Sequence, residues 1–201
     1  MCTRYWVDAS PELRPIVEEM RRSSLNGRFE ERSGRPFAFG EVRPSDTAPA
    51  VATGRRGQKA VFPMKWGFSG KSLLLNARAE TAAKKTTFRE CFERRRCVLP
   101  ASCYFEWEHV KDGRGKVKTG SRYRIRPEGE RVTWLCGLYR IEEGLPVFVV
   151  LTREPGEGIS FIHDRMPLIL PEECVGEWIR PDADPSALLE RALTDMIFEK
   201  G

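Results

Sequence analysis

The sequence predicts an α+β fold, a single domain with an antiparallel, barrel-like β core and peripheral helices. The chain has 201 residues, of which 40% are hydrophobic, and this is enough to bury one good core but not two. Its second half alternates β-rich segments with short turns, and strands joined in this way pair antiparallel because parallel pairs need long crossovers. Neither a repeat nor a composition break marks a linker, so we expect one domain over residues 1–201.

Seven segments rich in β-branched and aromatic residues predict the strands of the core. They cover residues 2–7, 59–68, 97–99, 102–107, 122–125, 132–141 and 146–152. Residues 43–49 are rich in turn formers, and residues 54–57 are typical of a hairpin tip. Gly113, Gly115 and Gly120 indicate the loop of a second hairpin.

The first predicted helix begins near Ser10, becomes regular at Pro15 and ends near Leu25. The apolar residues that share one face of this helix are Leu13, Ile16, Val17 and Met20. Residues 26–40, which are rich in Arg, Gly and Ser, are typical of a loop.

A second helix is predicted over residues 81–96, with Phe88 and Phe92 facing the core and a basic end at residues 94–96. A basic run at a helix C-terminus complements the helix dipole, so this run has an ordinary structural explanation. The remaining predicted helices cover residues 172–179 and 186–193.

The composition argues against several classes of protein. No apolar run approaches the ~18 residues that a membrane-spanning helix needs. The six cysteines form no C-x-x-C pair, and the two histidines, His109 and His163, have no ligand-like neighbours in the sequence, which argues against structural zinc. We see no signal peptide and expect a reduced, cytoplasmic protein. The net charge of +5 favours a polyanionic partner.

Cys2 is the residue from which a function can be argued. Removal of Met1 would leave an N-terminal cysteine, whose α-amine and thiol ordinarily have pKa values near ~8 and ~8.5, so that both are partly available near neutral pH. Such an amine condenses with an aldehyde to a Schiff base, and the thiol then closes a five-membered thiazolidine ring. The alternative is that a cysteine stands at position 2 by an accident of the translation start.

Three polar residues stand in otherwise apolar segments, where a buried polar group needs a partner. Asn76 follows three leucines, and a ligand is one available partner for its amide. Glu106 lies between two aromatic residues, where desolvation raises a carboxyl pKa toward the range useful for proton transfer, unless the side chain points outward. His163 is either an acid or base of the site or a structural histidine.

Six short motifs occur in a fixed order along the chain. They are residues 1–5 (Met-Cys-Thr-Arg-Tyr), 66–67 (Trp-Gly), 76–81 (Asn-Ala-Arg-Ala-Glu-Thr), 95–97 with 100–101 (Arg-Arg-Cys, Pro-Ala), 105–107 (Phe-Glu-Trp) and 162–167 (Ile-His-Asp-Arg-Met-Pro). Together they resemble the SOS response-associated peptidase (SRAP) family, over a stretch that extends from residue 2 to about Trp178. Six motifs in order rarely arise by chance, and the fold that the resemblance implies agrees with the predicted α+β barrel.

The resemblance implies a specific reaction. SRAP proteins recognise abasic sites in single-stranded DNA and form a thiazolidine crosslink with the sugar aldehyde through the N-terminal cysteine, as part of the DNA damage response. By similarity, Cys2 supplies the amine and the thiol, and Asn76 orients the cysteine and the sugar. Glu106 assists proton transfer, and His163 acts as acid or base on the sugar oxygen and in slow reversal. The implied protein is a cytoplasmic monomer that needs no cofactor or metal and contacts no membrane.

The resemblance also implies phosphate contacts. Arg4, Arg78 and Arg165 match family positions near phosphates, where a guanidinium makes charge-assisted hydrogen bonds. An alternative stays open for Arg165, which has Asp164 and Glu106 as candidate ion-pair partners.

An apolar edge is implied at Trp66, Trp107 and Pro44, where neighbouring bases stack or a second strand is blocked. The alternative is that both tryptophans are core residues.

The sequence departs from the family pattern at several places. Thr3 replaces the glycine usual after the cysteine, Cys103 takes a position that is commonly glycine, and Phe105 replaces a frequent tyrosine. Residues 69–71 replace a longer loop, which predicts a smaller shelf for DNA. The sequence leaves open whether Cys103 is buried or sensitive to oxidation.

Two other functions remain open from the sequence. One is a cysteine amidohydrolase or peptidase, including autoproteolytic removal of Met1, in which the freed amine is the base for Cys2 and Asn76 helps to form an oxyanion hole. The other is a module that binds damaged DNA without chemistry.

Overall fold

The computed structural model describes residues 2–33, 39–111, 113 and 117–201. Its strands are β1 (Arg4–Val7), β2 (Gly40–Val42), β3 (Thr47–Thr53), β4 (Lys59–Trp66), β5 (Asn76–Arg78), β6 (Arg96–Ala101), β7 (Cys103–Lys111), β8 (Val117–Pro127), β9 (Thr133–Glu142), β10 (Leu145–Arg153), β11 (Met166–Pro167), β12 (Ile169–Leu170) and β13 (Met196–Lys200). Its helices are α1 (Arg14–Arg21), α2 (Ser24–Ser33), α3 (Ala79–Ala82), α4 (Arg89–Arg94), α5 (Glu172–Ile179) and α6 (Pro185–Leu189), with a short 3₁₀ turn at Glu157–Ile159.

Five strands close into a barrel. β3 pairs with β4 and β6, β6 pairs with β9, β9 pairs with β10, and β10 pairs with β4. All of these pairs except β4–β10 are antiparallel, so the predicted α+β fold with an antiparallel, barrel-like core is confirmed. β10 pairs in parallel with β4 and with β5, because the long stretch of chain before β10 provides the crossover that parallel pairing needs.

Closure of the barrel depends on a close approach at Gly137 in β9. This residue is paired with Cys97 of β6 on one side and Val150 of β10 on the other. A Cβ atom at Gly137 would lie 2.7 Å from the Cδ2 atom of Leu99 and 3.0 Å from the carbonyl oxygen of Val149. The three strands can therefore pack at this distance only with a residue that has no side chain.

A second sheet holds the N-terminal segment in the order β13, β8, β7, β1, β2, with every pair antiparallel. Tyr5 of β1 lies opposite Val42 of β2 on one side and Tyr104 of β7 on the other. The strand predicted at residues 2–7 is thus confirmed over residues 4–7, and Cys2 lies just before it, in the sheet whose strand β7 carries Glu106.

The edge strand β13 is absent from the sequence prediction. Its five residues include Glu199 and Lys200, and no turn signal bounds it. It forms by pairing with β8, where Phe198 lies opposite Ile125. Such a strand is stabilised by its neighbour more than by its own pattern, which is why the local sequence does not predict it.

The hairpin between β7 and β8 is confirmed by their antiparallel pairing, but its loop is shorter than predicted. Gly120 lies inside β8, where an added Cβ would lie 2.8 Å from the Cγ2 atom of Val110. Gly113 lies in a turn, and Gly115 lies outside the described residues.

Two helices replace the single helix predicted near the N-terminus. α1 contains Pro15 in its first turn, buries Val17 and Met20, and ends at Arg21. α2 occupies residues 24–33, so the loop predicted from residue 26 is wrong there, and residues 34–38 lie outside the described part of the chain. Phe29 is buried, but the other residues of α2 are mostly polar, so no apolar periodicity indicates this helix.

A turn divides the helix predicted over residues 81–96 into α3 and α4. Phe88 and Phe92 are buried, as predicted. Arg94 lies in the last turn of α4, where the dipole explanation of the basic run applies. That explanation is wrong for Arg96, which is the first residue of β6 and is only 1% exposed.

α5 has the predicted bounds, whereas α6 ends four residues before residue 193. Buried side chains from the barrel, α1, α4 and α5 belong to one hydrophobic cluster. None of the helices in the described part of the chain has both the length and the apolar character that crossing a membrane requires.

Candidate active site

Cys2 lies just before β1 and is completely buried. Its Sγ atom is 3.7 Å from the backbone oxygen of Arg4. Burial raises the pKa of the thiol far above its ordinary value, and the nearby charge of Glu106 raises it further. The expectation of a partly ionised thiol applies to a chain that begins at Cys2 and stays a prediction, since this pKa shift belongs to the chain in which Met1 precedes Cys2. Met1 itself lies outside the described residues.

Asn76 is the first residue of β5 and forms a hydrogen bond with the backbone of Cys2. Its Nδ2 atom donates a hydrogen bond to the backbone oxygen of Cys2 at 3.0 Å. Its Oδ1 atom is buried and has no hydrogen-bond partner among the described residues. The amide thus fixes the position of Cys2 and keeps one acceptor available for an incoming donor.

Glu106 lies in β7 and points inward. The residue is 4% exposed, so the alternative of an outward-pointing side chain is wrong. Burial raises the pKa of the carboxyl above its ordinary value, as the aromatic neighbours predicted. The strand therefore presents beside Cys2 a carboxyl group that takes up a proton more readily than an exposed glutamate does.

His163 lies opposite Glu106, with its Nε2 atom 3.8 Å from the Oε1 atom of the carboxyl. Its Nδ1 atom accepts a hydrogen bond of 3.0 Å from the backbone N–H of Arg165. Burial lowers the pKa of His163 to about 4, so the imidazole is neutral at pH 7. Nδ1 also lies 2.7 Å from the Oδ1 atom of Asp164, so this nitrogen contacts both a backbone donor and a carboxylate, while Nε2 is the ring nitrogen that faces Glu106.

A small recess lies next to this pair. Its walls are formed by Tyr104, Glu106, Ile125, Ile159, Ile162, His163 and Arg165. The hydroxyl of Tyr104 is buried and has no hydrogen-bond partner in the described part of the chain. Tyr104 is missing from the sequence prediction, although its spacing of two from Glu106 places both on one face of a strand.

His109 is a second residue that the sequence does not predict as part of the site. Its ring centroid is 4.0 Å from that of His163. The pairing of β7 with β8 shifts its register between Trp107 and His109, so a simple alternation of faces cannot place this histidine. Of the described residues, His109, His163 and Asp164 form the group with donor atoms close enough to hold a metal ion.

Arg165 is held by an acidic partner that the sequence does not predict. Its Nη1 and Nη2 atoms each donate to Glu80 at 2.9 Å, and Nη2 also donates to the backbone oxygen of Thr152 at 2.7 Å. The side chain is 10% exposed. The ion-pair alternative is therefore correct in kind but wrong in partner, because the partner is Glu80 and not Asp164 or Glu106. The phosphate contact of Arg165 stays a prediction, although Glu80 already neutralises this guanidinium.

The other two predicted phosphate contacts, Arg4 and Arg78, differ in whether the side chain already has a partner within the protein. Arg4 donates to the backbone oxygen of Thr3 at 2.7 Å, and its Nε atom lies 3.3 Å from Glu41. Arg78 is exposed at the end of β5 and has neither a hydrogen bond nor an ion pair with any described side chain. Arg78 is therefore the predicted contact that is most available to DNA.

Trp66 is a core residue. It is completely buried against Tyr5 and Phe148, and its Nε1 atom donates to the backbone oxygen of Leu75 at 3.0 Å. The prediction that bases stack on Trp66 is wrong, because no face of its ring reaches solvent. Its hydrogen bond instead fixes the residue that precedes Asn76.

Trp107 and Pro44 remain candidates for the apolar edge, since both are partly exposed. Cys103, in contrast, is completely buried, and the Nε atom of Arg124 donates to its sulfur at 3.2 Å. Burial raises the pKa of this thiol, which disfavours the reactive thiolate.

Comparison with known proteins identifies relatives of the chain. Residues 1–199 match the model of a family described as SOS response associated peptidase (SRAP). The abasic site processing protein YoqW of Bacillus subtilis is 36% identical over 121 residues, which cover 57% of this chain and 52% of the relative. The abasic site processing protein YedK of Escherichia coli is 31% identical over 127 residues, which cover 60% and 55%. The chain thus spans about half the length of the curated relatives it matches.

The fold also has relatives among solved structures. A crystal structure of a protein from Bacteroides thetaiotaomicron superposes with a TM-score of 0.72 at 21% identity, covering 99% of this chain and 91% of that one. At this level of identity, the likeness shows a shared fold and nothing about chemistry.

Proposed function

The chain belongs to the SOS response associated peptidase (SRAP) family, and on that premise we propose that it processes abasic sites in DNA by capturing the sugar aldehyde at Cys2. The names of its curated relatives support an abasic site as the substrate. The observation that carries the proposal is the cluster in which Asn76, Glu106 and His163 meet beside the cysteine.

The reaction that fits this cluster begins with removal of Met1, because hydrolysis of the Met1–Cys2 peptide bond frees the α-amine. The amine adds to the aldehyde carbon of the ring-opened sugar, and loss of one water leaves a Schiff base. The Cys2 thiol then adds to the same carbon, its proton passes to the nitrogen, and the new C–S bond closes a thiazolidine ring. The sequence of steps needs no oxidant, cofactor or metal.

Glu106 and His163 move the protons in this proposal. The raised pKa of Glu106 lets the carboxyl exchange protons with the cysteine near neutral pH more readily than an exposed glutamate would. The neutral ring of His163 acts as acid or base on the sugar oxygen when the sugar ring opens and when the crosslink reverses.

Asn76 orients the cysteine and the sugar. Its amide already holds the backbone oxygen of Cys2, and its unpartnered Oδ1 is suited to accept from the freed amine or a sugar hydroxyl. This arrangement favours crosslinking over the peptidase alternative. An oxyanion hole for removal of Met1 must bind the carbonyl of Met1, whereas Asn76 binds that of Cys2.

The partner we propose is single-stranded DNA, bound by a monomer in the cytoplasm. Arg78 is the main phosphate contact, and Arg4, which also forms an ion pair with Glu41, is a second one. Trp107 and Pro44 lie at the edge on which bases rest.

The test uses protein whose intact mass shows that it begins at Cys2. We expect incubation with a single-stranded oligonucleotide containing one abasic site to give a product that resists heat and detergent. Its mass should equal protein plus DNA minus one water. Cys2→Ala should abolish the product, while Cys103→Ala, which removes another buried thiol of the same sheet, should retain it. Failure of the wild-type protein to form the product would refute the proposal.

The same experiment separates the two alternatives. An amidohydrolase would turn over an amide substrate and leave no protein on the DNA. A binding module would bind abasic DNA equally well after Cys2→Ala and would never form a covalent product.

A further inference from the structure

The two histidines of the chain, which are 54 positions apart, lie side by side in the structure. The ring centroids of His109 and His163 are 4.0 Å apart, and the Oδ1 atom of Asp164 is 2.7 Å from the Nδ1 atom of His163. One donor atom from each of the three residues lies within 4.8 Å of the others. The expectation that these histidines lack ligand-like neighbours is therefore wrong, because Asp164 directly follows His163 and the fold brings His109 to the same place.

Two elements hold this cluster together. The backbone N–H of His109, near the end of β7, donates to the backbone oxygen of Ile162 at 2.9 Å. That bond joins the strand to the residue just before His163. The two rings are therefore brought together by the fold, not by a chance contact between surface side chains.

The donor set selects a class of ion. Two imidazole nitrogens and one carboxylate suit Zn²⁺ and similar divalent transition metals, whereas Mg²⁺ and Ca²⁺ prefer oxygen ligands alone. His109 and Asp164 are exposed, so an ion can reach the cluster from solvent and both side chains can adjust. Three protein ligands leave a fourth position for water.

The surroundings of His163 are those of a metal ligand. The Nδ1 atom of His163 and the Oδ1 atom of Asp164 lie 2.7 Å apart, so both already point to one place, where a divalent cation would bind them by displacing any proton they share. On the other side of the ring, Nε2 faces Glu106, and a carboxylate behind a ligating imidazole is the usual support for such a ligand. Coordination through Nδ1 would replace the hydrogen bond from the Arg165 N–H with a metal–nitrogen bond.

We propose that His109, His163 and Asp164 bind one Zn²⁺ ion beside the recess, and that the bound ion withholds His163 from the chemistry at Cys2. Zinc would then inhibit the capture of abasic sites reversibly. The inhibition rests on the proposed function, whereas the binding does not.

Binding is tested on folded protein that carries Cys2→Ala, so that the N-terminal thiol cannot contribute a ligand. We expect Zn²⁺ to bind at one equivalent in calorimetry. Co²⁺ as a probe should give an absorption spectrum without the sulfur charge-transfer band that the buried cysteines would cause. His109→Gln and Asp164→Asn should each weaken binding by more than about tenfold. Asp195→Asn, which alters another exposed carboxylate, should not.

Absence of one-equivalent binding, or binding that His109→Gln leaves unchanged, would overturn the site. A sulfur charge-transfer band that persists in His109→Gln would overturn it as well, since the ligands would then be thiols.

The inhibition is tested separately by measuring the rate of crosslinking with chelator and with Zn²⁺. We expect Zn²⁺ to lower the crosslinking rate of the wild-type protein. For His109→Gln, the rate with Zn²⁺ should stay much closer to the rate that the same variant shows with chelator. If zinc binds but the rate is the same with and without it, the inhibitory part is refuted. If no crosslink forms even with chelator, the proposed function fails while the binding result stands.

Discussion

At the scale of single residues, the fold sets the protonation of the groups around Cys2. Burial raises the pKa of the Glu106 carboxyl and lowers that of the His163 imidazole, because in both cases it penalises the charged form. The thiol of Cys2 is kept protonated for the same reason. Burial thus disfavours the charged form of all three groups, Glu106, His163 and Cys2.

Glu106→Gln tests the proton-transfer role that this environment supports. The substitution keeps the shape of the side chain but removes the group that gains and loses a proton. We expect the rate of crosslinking on denaturing gels to fall by about 100-fold, in the range of general acid–base catalysis. Glu108→Gln, two positions along β7 and partly exposed, should keep the wild-type rate. Equal rates for Glu106→Gln and wild type would assign Glu106 a structural role.

The lowered pKa of His163 has a consequence for stability. In the unfolded chain the imidazole binds a proton below about 6.5, whereas in the folded chain it stays neutral until pH falls to about 4. At this residue the unfolded state thus binds more protons in this window, so the contribution of His163 to the free energy of unfolding falls as pH drops from about 6.5 toward 4.

Urea unfolding at several pH values measures this effect. In His163→Gln the side chain does not titrate, so the loss of stability between pH 6.5 and pH 5 should be smaller than in wild type. Parallel curves for the two proteins would show that His163 has the same pKa folded and unfolded.

At the scale of elements, Arg96 joins β6 to the ends of two helices. Its guanidinium is buried and donates to backbone carbonyls at the C-terminal ends of α4 and α5 and just beyond α5. The acceptors are the oxygens of Phe92, Glu93, Trp178, Arg180 and Ala183. A cation among the last carbonyls of two helices satisfies orphan acceptors and complements both dipoles.

Arg96→Met is therefore expected to be strongly destabilising. The methionine fills much of the volume but leaves several buried carbonyls without donors, and we expect the free energy of unfolding to fall by about 3 kcal/mol or more in urea titrations. Arg94→Met, two positions earlier and exposed, should change it by less than about 0.5 kcal/mol. A similar small change at both positions would mean that water replaces the guanidinium.

Element predictions from the sequence succeed where the local pattern and the environment agree. The strands β9 and β10 are runs of apolar residues closed by a short turn, and α5 has an apolar face and a proline before it, so all three were predictable. Arg96 shows where such reasoning ends. A third arginine in a basic run carries no sign that the helix has ended before it, because three of its five acceptors lie 82, 84 and 87 residues away along the chain.

At the scale of the whole molecule, the sequence predicts a barrel-like fold but not which distant residues the barrel brings into contact. Asn76 and Glu106 were found because each is a polar residue in an apolar segment, which marks a buried partner. The burial of Trp66 and the contact of His109 with His163 depend on how β4, β7 and the chain after β10 are placed around the barrel. No periodicity in one segment contains that information.

The net charge of +5 is likewise a property of the whole chain. The structure shows which basic side chains are already paired with acidic ones and which are exposed to solvent. Arg165 and Arg4 are held by Glu80 and Glu41, whereas Arg78 is exposed and has no ion pair with a described residue. A phosphate contact releases counterions from DNA, so its loss reduces the salt dependence of binding. Loss of the Arg78 contact should therefore reduce the salt dependence of DNA binding by the amount expected for one phosphate contact.

We expect Arg78→Ala to weaken binding of single-stranded DNA and to reduce the slope of log affinity against log salt by about 0.7. Binding is measured by fluorescence anisotropy with Cys2→Ala protein, so that no covalent product distorts the equilibrium. Arg56→Ala removes the same charge at the tip of the β3–β4 hairpin, at the opposite end of that hairpin from Trp66. If the two variants lower the slope equally, the effect belongs to net charge alone and Arg78 does not contact the DNA backbone. A reduction confined to Arg78→Ala would place the strand along the end of β5, next to Asn76 and the cysteine that it orients.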